Sequence, residues 1–231
     1  MPRIAVFTMT RDRLDYTKRT LDSMRQSRPG HTYDHWFFDN GSTDGTVEYL
    51  ETLLRDKRIK SLTASATNQG LHRTMNLAHD LLLGLKYDFI MKVDNDVEFK
   101  TRHWLKKLIR AQKCLAPGSV VSPKVEGLNH PPEPFARRNI DGWSVQFLDI
   151  IGGITRLMPR KSIADFEFNE RMPLSWGGDA TFANHCERNI IPMAYVTDIR
   201  VRHMDGTKGQ ESHNPDYFKR KEYEAYISYG L

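Results

Sequence analysis

Short apolar runs alternate with amphipathic stretches through the first half of the chain. Runs rich in β-forming residues predict strands at residues 3–8, 33–38, 59–64 and 88–93. Apolar residues at helical spacing predict helices around residues 47–54, 71–82 and 104–109. The first of these helices would have Thr46 as its N-cap. The alternation predicts an α/β fold built from right-handed βαβ units, with a Rossmann-like, mostly parallel central sheet flanked by helices.

The pattern changes after Val120. Residues 127–138 are rich in proline and predict a loop. Later segments predict strands at residues 143–151, 154–158 and 193–202, a helix at 179–189 and a charged C-terminal helix at 217–229. The second half of the chain therefore predicts a smaller mixed sheet with loops.

The size of the chain suits one domain. Its 231 residues are 39% hydrophobic and 27% charged, which is ordinary for a water-soluble protein. No apolar run approaches the roughly 20 residues that span a bilayer, so we expect no transmembrane segment. Residues 1–7 are too short in apolar content for a signal peptide, and we expect a cytoplasmic protein.

The net charge and the two cysteines exclude few classes of function. The net charge of +5 suits anionic ligands, but it is spread along the chain and favours neither phosphate, nucleic acid nor an acidic membrane. Cys114 and Cys186 lie far apart and lack metal-binding spacing, so we expect two reduced, buried thiols.

Polar residues follow each of the four predicted strands of the first half. They lie at residues 8–11, 39–42, 68–70 and 94–96. In an open parallel sheet, ligands bind at the carboxyl ends of the strands. The four clusters together therefore predict a binding site along that edge of the sheet.

Asp94-Asn95-Asp96 is the first candidate for that site. Residues i and i+2 of an extended chain point the same way, so both carboxylates would face one point. Carboxylates that close repel each other unless a cation or ligand hydroxyls compensate them. Hard divalent ions such as Mg²⁺ or Mn²⁺ prefer oxygen ligands and bridge to substrate phosphates. A polar turn would use the same residue types, but the position directly after an apolar strand favours a binding role.

Asp39 begins the second signature, which covers residues 39–46. The segment is also compatible with a simple turn before a capped helix. A carboxylate only accepts hydrogen bonds, so Asp39 would pair with N3–H of uracil or thymine and disfavour cytosine, whose N3 is an acceptor.

Asn68-Gln69-Gly70 precedes a predicted helix. Gly70 would allow a ligand to approach the backbone closely, and the amides at the start of the helix suit phosphate. Arg73 in the first turn would add positive charge, although a solvated arginine is an equal alternative.

Asp179 and His203 are candidates from the second half. Asp179 follows Gly177-Gly178, where it could act as general base on an acceptor hydroxyl or serve as a helix N-cap. His203 closes a predicted strand and offers a neutral imidazole to a metal, although a lone histidine there is more often a surface residue.

Together these motifs resemble glycosyltransferase family 2, with the GT-A fold, from Arg3 to about His203. The resemblance implies that Asp39 contacts the base of a nucleotide-sugar donor, that Asp94 contacts the ribose, and that Asp96 binds a metal with His203. The donor-binding residues that it implies are Thr8, Thr10, Arg11, Asp39, Asn68, Gly70, Arg73, Asp94 and Asn95. The segment Trp176-Gly177-Gly178-Asp179 keeps the aspartate of the family's Gly-Gly-Glu-Asp motif and lacks the glutamate.

The resemblance also implies a domain layout and a reaction. A single GT-A domain would comprise a nucleotide-binding half (1–98), an acceptor-binding and catalytic half (99–213) and a C-terminal helix (214–231). The reaction would be an inverting transfer from a UDP-sugar to a hydroxyl of a glycan or glycoconjugate, with Mn²⁺ or Mg²⁺. Residues 205–214 would form a lid that closes on the donor, with Arg202 or Lys208 at the phosphate.

Other functions fit the sequence less well. A sugar-nucleotide pyrophosphorylase would have a glycine-rich phosphate loop near the first strand, and a dinucleotide oxidoreductase would have a G-x-G-x-x-G motif; this chain has neither. A basic stripe with interleaved aromatic residues, typical of nucleic-acid binding, is also absent. A non-catalytic module that binds nucleotide sugars or carbohydrate remains as an alternative.

Overall fold

The computed structural model describes residues 1–171 and 178–204, together with residues 212, 215, 216 and 219. The predictions for Trp176, Gly177, the lid at 205–214 and the C-terminal helix lie outside the described residues, wholly or for the most part.

The described residues form ten strands and five α-helices. The strands are β1 (Ile4–Thr10), β2 (Asp34–Asn40), β3 (Ser61–Ser65), β4 (Phe89–Val93), β5 (Val97–Phe99), β6 (Val120–Glu126), β7 (Ala136–Ile140), β8 (Trp143–Phe147), β9 (Thr155–Pro159) and β10 (Met193–His203). The helices are α1 (Leu14–Gln26), α2 (Thr46–Arg55), α3 (Leu71–Gly84), α4 (Trp104–Lys113) and α5 (Gly178–Arg188), and a 3₁₀ turn, Arg160–Ser162, follows β9.

All ten strands belong to one sheet, in the order β3-β2-β1-β4-β9-β6-β10-β8-β7, with β5 paired to β10. The first four strands in this order pair in parallel. Beyond them β9 is antiparallel to β4 and β6, while β10 is parallel to β6 and antiparallel to β5 and β8. The predicted α/β fold is confirmed, and its parallel and mixed parts are continuous.

Helices cover both faces of the parallel part. Successive residues of a strand point to opposite faces, and Phe38 accordingly packs into the main core whereas Phe37 packs with Leu50 and Leu53 of α2 in a second cluster. Every residue of β4 is buried, as expected for a central strand with both faces covered. The carboxyl ends of β1, β2 and β4 therefore meet at one edge above a rigid core.

Three local predictions need correction or addition. The predicted loop at 127–138 ends earlier than expected, because Ala136 already begins β7, which pairs with β8. Thr46 is not the N-cap of α2; Gly45 holds that position with φ of 90°, and Asp44 Oδ1 accepts a hydrogen bond from Thr46 N at 3.1 Å. Helix α1 and the short strand β5 were not predicted.

Two further observations concern the cysteines and membranes. Both cysteines are free; Cys186 is buried as predicted, whereas Cys114 is partly exposed. Among the helices in the described residues, none combines the length and apolar composition needed to span a bilayer.

Candidate active site

Asp39 is held at the junction of β1 and β2. The two strands pair in register, so that Thr10 lies beside Asp39 and donates a hydrogen bond from Oγ1 to Asp39 Oδ2 at 2.7 Å. Ser42 donates from its backbone N at 2.8 Å and also from its hydroxyl. Asp39 is only 1% exposed. Three hydrogen bonds therefore set the position of this carboxylate before any ligand binds.

The loop after Asp39 is tied to its neighbours on both sides. Asp12 N donates to Ser42 Oγ at 2.6 Å, and Asp12 Oδ1 accepts from Thr43 N at 2.7 Å. Gly41 has φ of 80°, and a Cβ there would lie 2.8 Å from the carbonyl carbon of Thr67. Only glycine permits that approach, so the position that resembles the family motif has a structural reason to be glycine.

Asn68 and Gly70 join the same edge. Asn68 Oδ1 accepts hydrogen bonds from Asn40 Nδ2 at 2.7 Å and from Gly70 N at 3.0 Å, and Asn40 Oδ1 accepts one from Gln69 N at 2.7 Å. Gly70 is the N-cap of α3, with φ of 86° and ψ of 155°, a combination open essentially to glycine alone. The start of α3 is thereby brought beside the end of β2.

Asp96 is the centre of a charged group that links three elements. Arg13, just before α1, lies 3.0 Å from Asp96 Oδ2 through Nη1 and donates to Asn95 Oδ1 through Nη2 at 2.9 Å. His203, at the end of β10, places Nε2 3.4 Å from the same Asp96 oxygen. Burial opposes the charged form of His203, but the hydrogen bond and the charge of Asp96 outweigh it, and the pKa of His203 is raised.

These residues partly fit a divalent metal. Neighbouring ligands of an octahedral ion with bonds of about 2.1 Å lie roughly 3 Å apart, and the 3.4 Å between Asp96 Oδ2 and His203 Nε2 is close to that spacing. Within the described part of the chain, no group of three or more His, Cys, Asp and Glu side chains is arranged around one point. Asp96 Oδ2 and His203 Nε2 thus fit two ligand positions of such an ion, and the described His, Cys, Asp and Glu side chains supply no third around the same point.

Asp94 meets a buried lysine, whereas Asp96 meets Arg13 and His203. Lys92 Nζ contacts both Asp94 Oδ1 and the carbonyl oxygen of Gly153. Burial raises the pKa of Asp94, Lys92 opposes that shift, and the negative charges of Asp96 and Asp179 add to it. Lys92 therefore ties the end of β4 to the Gly152-Gly153 turn before β9.

Asp179 lies across that turn from Asp94. A Cβ on Gly153 would lie 2.7 Å from Asp179 Oδ1 and 3.3 Å from Lys92 Nζ. Helix α5 begins at Gly178, so Asp179 occupies the first turn of the helix rather than preceding it. Gly178 itself lies against the first turn of α3, since a Cβ there would be 3.3 Å from His72 Nε2. The structure thus brings Asp179 to the edge where β4 ends and α3 begins.

The other three predicted donor-binding residues are Thr8, Arg11 and Arg73. Thr8 lies two residues before Thr10 in β1 and is buried. Its Oγ1 is 3.0 Å from His35 Nε2. Arg73 is exposed in the first turn of α3, and Arg11 is partly buried after β1. The structure therefore assembles Thr10, Asp39, Asn68 and Gly70 with the Asp94–Asp96 segment, Asp179 and His203, and leaves Thr8 in the core.

Three basic residues of the site were not predicted from the sequence. They are Arg13, Lys92 and Arg156, of which Arg156 lies 3.8 Å from Asp179 Oδ1 through Nη1. Lys92 and Arg156 could have been found from the sequence, because each is a charged residue within an otherwise apolar strand. Arg13 had none, because its contact with Asp96 depends on a left-handed backbone at φ of 63°.

The arrangement combines an edge that suits a nucleotide diphosphate with a half-exposed carboxylate beside it. A family model described as "Glycosyl transferase family 2" matches residues 5–171. The chain therefore belongs to glycosyl transferase family 2.

Solved structures share the fold at low sequence identity. GalNAc-T7 with UDP, GalNAc and Mn²⁺ aligns with a TM-score of 0.70 and 12% identity over 88% of this chain and 44% of its own. S. aureus TarS 1-349 in complex with UDP-GlcNAc aligns with a TM-score of 0.64 and 15% identity over 87% and 58%. The mannosyltransferase PcManGT from Pyrobaculum calidifontis, in complex with GDP-Man and Mn²⁺, aligns with a TM-score of 0.64 and 14% identity over 92% and 60%.

This chain thus spans about half the length of these structures. At such identities the likeness supports the GT-A fold alone. A search of the curated proteins finds no match.

Proposed function

We propose that this protein is an inverting, metal-dependent glycosyltransferase that moves a sugar from a UDP-sugar to a hydroxyl of a glycan or glycoconjugate. The observation that carries the proposal is the convergence of Asp94 and Asp179 on the Gly152-Gly153 turn, with Asp96 and His203 beside them. One carboxylate belongs to the donor edge and the other to the acceptor side. In this proposal residues 1–98 bind the donor, and residues 99–213 bind the acceptor and supply the base.

Donor binding would use the edge formed by β1, β2 and β4. Asp39 accepts three hydrogen bonds from Thr10 and Ser42, and a carboxylate has about four acceptor positions, so one remains for N3–H of uracil. Asp94 would accept a hydrogen bond from the ribose 2′-hydroxyl, which dTDP lacks. The solved relatives with UDP and UDP-GlcNAc are consistent with this choice, while PcManGT holds GDP-Man.

Transfer would be a single displacement at the anomeric carbon. Asp179 is half exposed and would take the proton from the acceptor hydroxyl as its oxygen attacks. The bond between the anomeric carbon and the diphosphate breaks at the same time, so the configuration inverts. When bound, Mn²⁺ or Mg²⁺ held by Asp96 and His203 would offset negative charge on the diphosphate.

A panel of nucleotide sugars tests this function by thermal unfolding, with either Mn²⁺ or EDTA. At a donor concentration of 100 times Kd, binding adds about 2.7 kcal/mol of stability, which corresponds to roughly 5–10 °C for a chain of this size. We expect a UDP-sugar to give that shift with Mn²⁺ and lose most of it in EDTA.

Donors that bind are then incubated with mixed glycan acceptors, and the product anomer is read by NMR. A donor that stabilises the protein but is never turned over supports the binding-module alternative. Retention of the anomeric configuration contradicts the displacement, and equal stabilisation in EDTA contradicts the role of the metal.

A further inference from the structure

Arg156 is a charged residue at the centre of the sheet. It lies in β9 directly across from Lys92 of β4, and its side chain is 1% exposed. Taking an ion of this size out of water costs several kcal/mol unless partners compensate it. A fully buried guanidinium therefore needs a reason beyond packing.

Among the described residues, the closest side-chain partners of Arg156 lie on helix α5. Its Nη1 is 3.8 Å from Asp179 Oδ1, and its Cζ is 4.0 Å from the centroid of the Phe182 ring, both on α5. Among the residues that the structure describes, its Nε and Nη1 have no hydrogen-bond partner. Arg156 is thus oriented toward the first turn of α5 and is held there by a charge and an aromatic face.

Asp179, the other residue of this ion pair, is accessible to solvent. The Asp179 side chain is 47% exposed, and its carboxylate lies over the Gly152-Gly153 turn, with Oδ1 2.7 Å from where a Cβ of Gly153 would be. One face of Asp179 therefore meets the buried guanidinium, and the other remains accessible.

We propose that Arg156 is a positioning residue for Asp179: from within the core it holds the carboxylate over the Gly152-Gly153 turn, where the acceptor hydroxyl is deprotonated. This role rests on the proposed function, in which Asp179 is the base. The guanidinium of Arg156 is directed at Asp179 and Phe182, so it would act through Asp179 and not on a substrate. It should affect the rate of transfer and not the binding of the donor.

A double-mutant cycle tests this role. The variants are Arg156→Met, which has a similar shape without the charge, Asp179→Asn, and the two combined; Arg156→Lys is the conservative variant. Met158→Leu is the matched control, because Met158 is a buried apolar residue two positions along the same strand. For each variant, kcat, donor KM, the donor dissociation constant and the unfolding midpoint are measured.

We expect Arg156→Met to lower kcat by about 100-fold, the cost of displacing a reacting group by roughly 1 Å, with the donor dissociation constant within twofold. The double variant should be no slower than Asp179→Asn alone, because residues that act as a unit are not additive. Arg156→Lys should recover part of kcat, and Met158→Leu should remain within twofold of the wild type.

The failures are distinguishable. Full transfer by Asp179→Asn, or none by the wild type, overturns the proposed function and this role with it. Loss of transfer in Asp179→Asn with unchanged kcat in Arg156→Met overturns the role of Arg156 alone. Additive losses, or equal losses of kcat and donor affinity, show that Arg156 acts through general packing. If Arg156→Met does not fold, the same comparison is made with Arg156→Gln, which also removes the charge.

Discussion

The two sides of the site hold their carboxylates in different ways. On the donor side, Asp39 is 1% exposed with three hydrogen bonds, and Asp96 meets Arg13 and His203. On the acceptor side, Asp179 is half exposed and has an ion pair at 3.8 Å with Arg156. The donor carboxylates are therefore part of what stabilises the fold, whereas Asp179, the proposed base, is held by one long ion pair. Substitutions on the two sides should separate activity from stability.

The largest effect is expected for Asp179→Asn. An amide of the same shape cannot take the acceptor proton, so kcat should fall about 1000-fold, within the range for loss of a general base. The free energy of unfolding should fall by only about 1 kcal/mol: Arg156 loses its charge partner, but Asp179 is half exposed and the contact spans 3.8 Å. Steady-state kinetics and urea unfolding on the same preparation measure both quantities. A large loss of stability would erase the contrast between the two sides.

Asp39→Asn should lower stability more than Asp179→Asn does. The amide would present N–H groups to Thr10 and Ser42, which already donate, and leave a buried group unsatisfied, so unfolding should become easier by about 3 kcal/mol. Urea unfolding measures the change, and Asp80→Asn on the exposed side of α3 is the control. If Asp39→Asn were as stable as the wild type, the donor side could not be described as part of the folded framework.

A smaller effect on stability is expected when the pH is lowered, because of His79, which is buried beneath the two sides. Burial, together with the charges of Arg156 and Lys92, lowers the pKa of His79 from 6.5 to about 3. Between these two values the unfolded chain binds the proton and the folded chain does not. The stability that the neutral ring contributes is therefore complete above pH 6.5 and is lost progressively as the pH falls toward 3.

Through the lowered pKa of His79 alone, the free energy of unfolding should fall by about 2 kcal/mol when the pH is lowered from 7.5 to 5. His79→Leu, with a residue that suits the aromatic cluster of Phe7, Phe166 and Phe168, should flatten the acid limb by that amount. Urea unfolding at both pH values measures it, with exposed His130→Gln as control for removing a histidine. An unchanged slope in His79→Leu would show that acid sensitivity arises elsewhere, as at His35, whose pKa burial also lowers to about 3.

The donor side was predictable from the sequence because its residues directly follow apolar strands. A strand that ends in Asp39 or in Asp94-Asn95-Asp96 places those side chains at a known edge of a parallel sheet. The parallel strands and three of the helices follow from the same periodicity. Helix α1 was missed because only Tyr16, Thr17, Thr20 and Met24 are buried on it, and threonine does not register as apolar.

The acceptor side depends on pairing between strands that are distant in sequence, which the local pattern of apolar and polar residues does not predict. Nothing near residue 155 indicates that β9 inserts between β4 and β6, and without that placement Arg156 cannot be connected with Lys92 or Asp179. The sequence predicts a loop where β7 begins, because prolines closely precede this strand and its residues, Ala-Arg-Arg-Asn-Ile, are largely polar. A charge inside an apolar strand, as at Lys92 and Arg156, was the one local sign of the site's buried layer.

The insertion of β9 also has a consequence for synthesis on the ribosome. The outer edge of β4 is closed only by a strand that emerges roughly sixty residues later, and at a translation rate of about 5–20 residues per second that edge stays open for several seconds. Its sequence, Phe-Ile-Met-Lys-Val, is an apolar strand of the kind that recruits other chains. Lys92, the fourth of its five residues, carries a charge of the kind that disfavours pairing of an open strand edge with other chains.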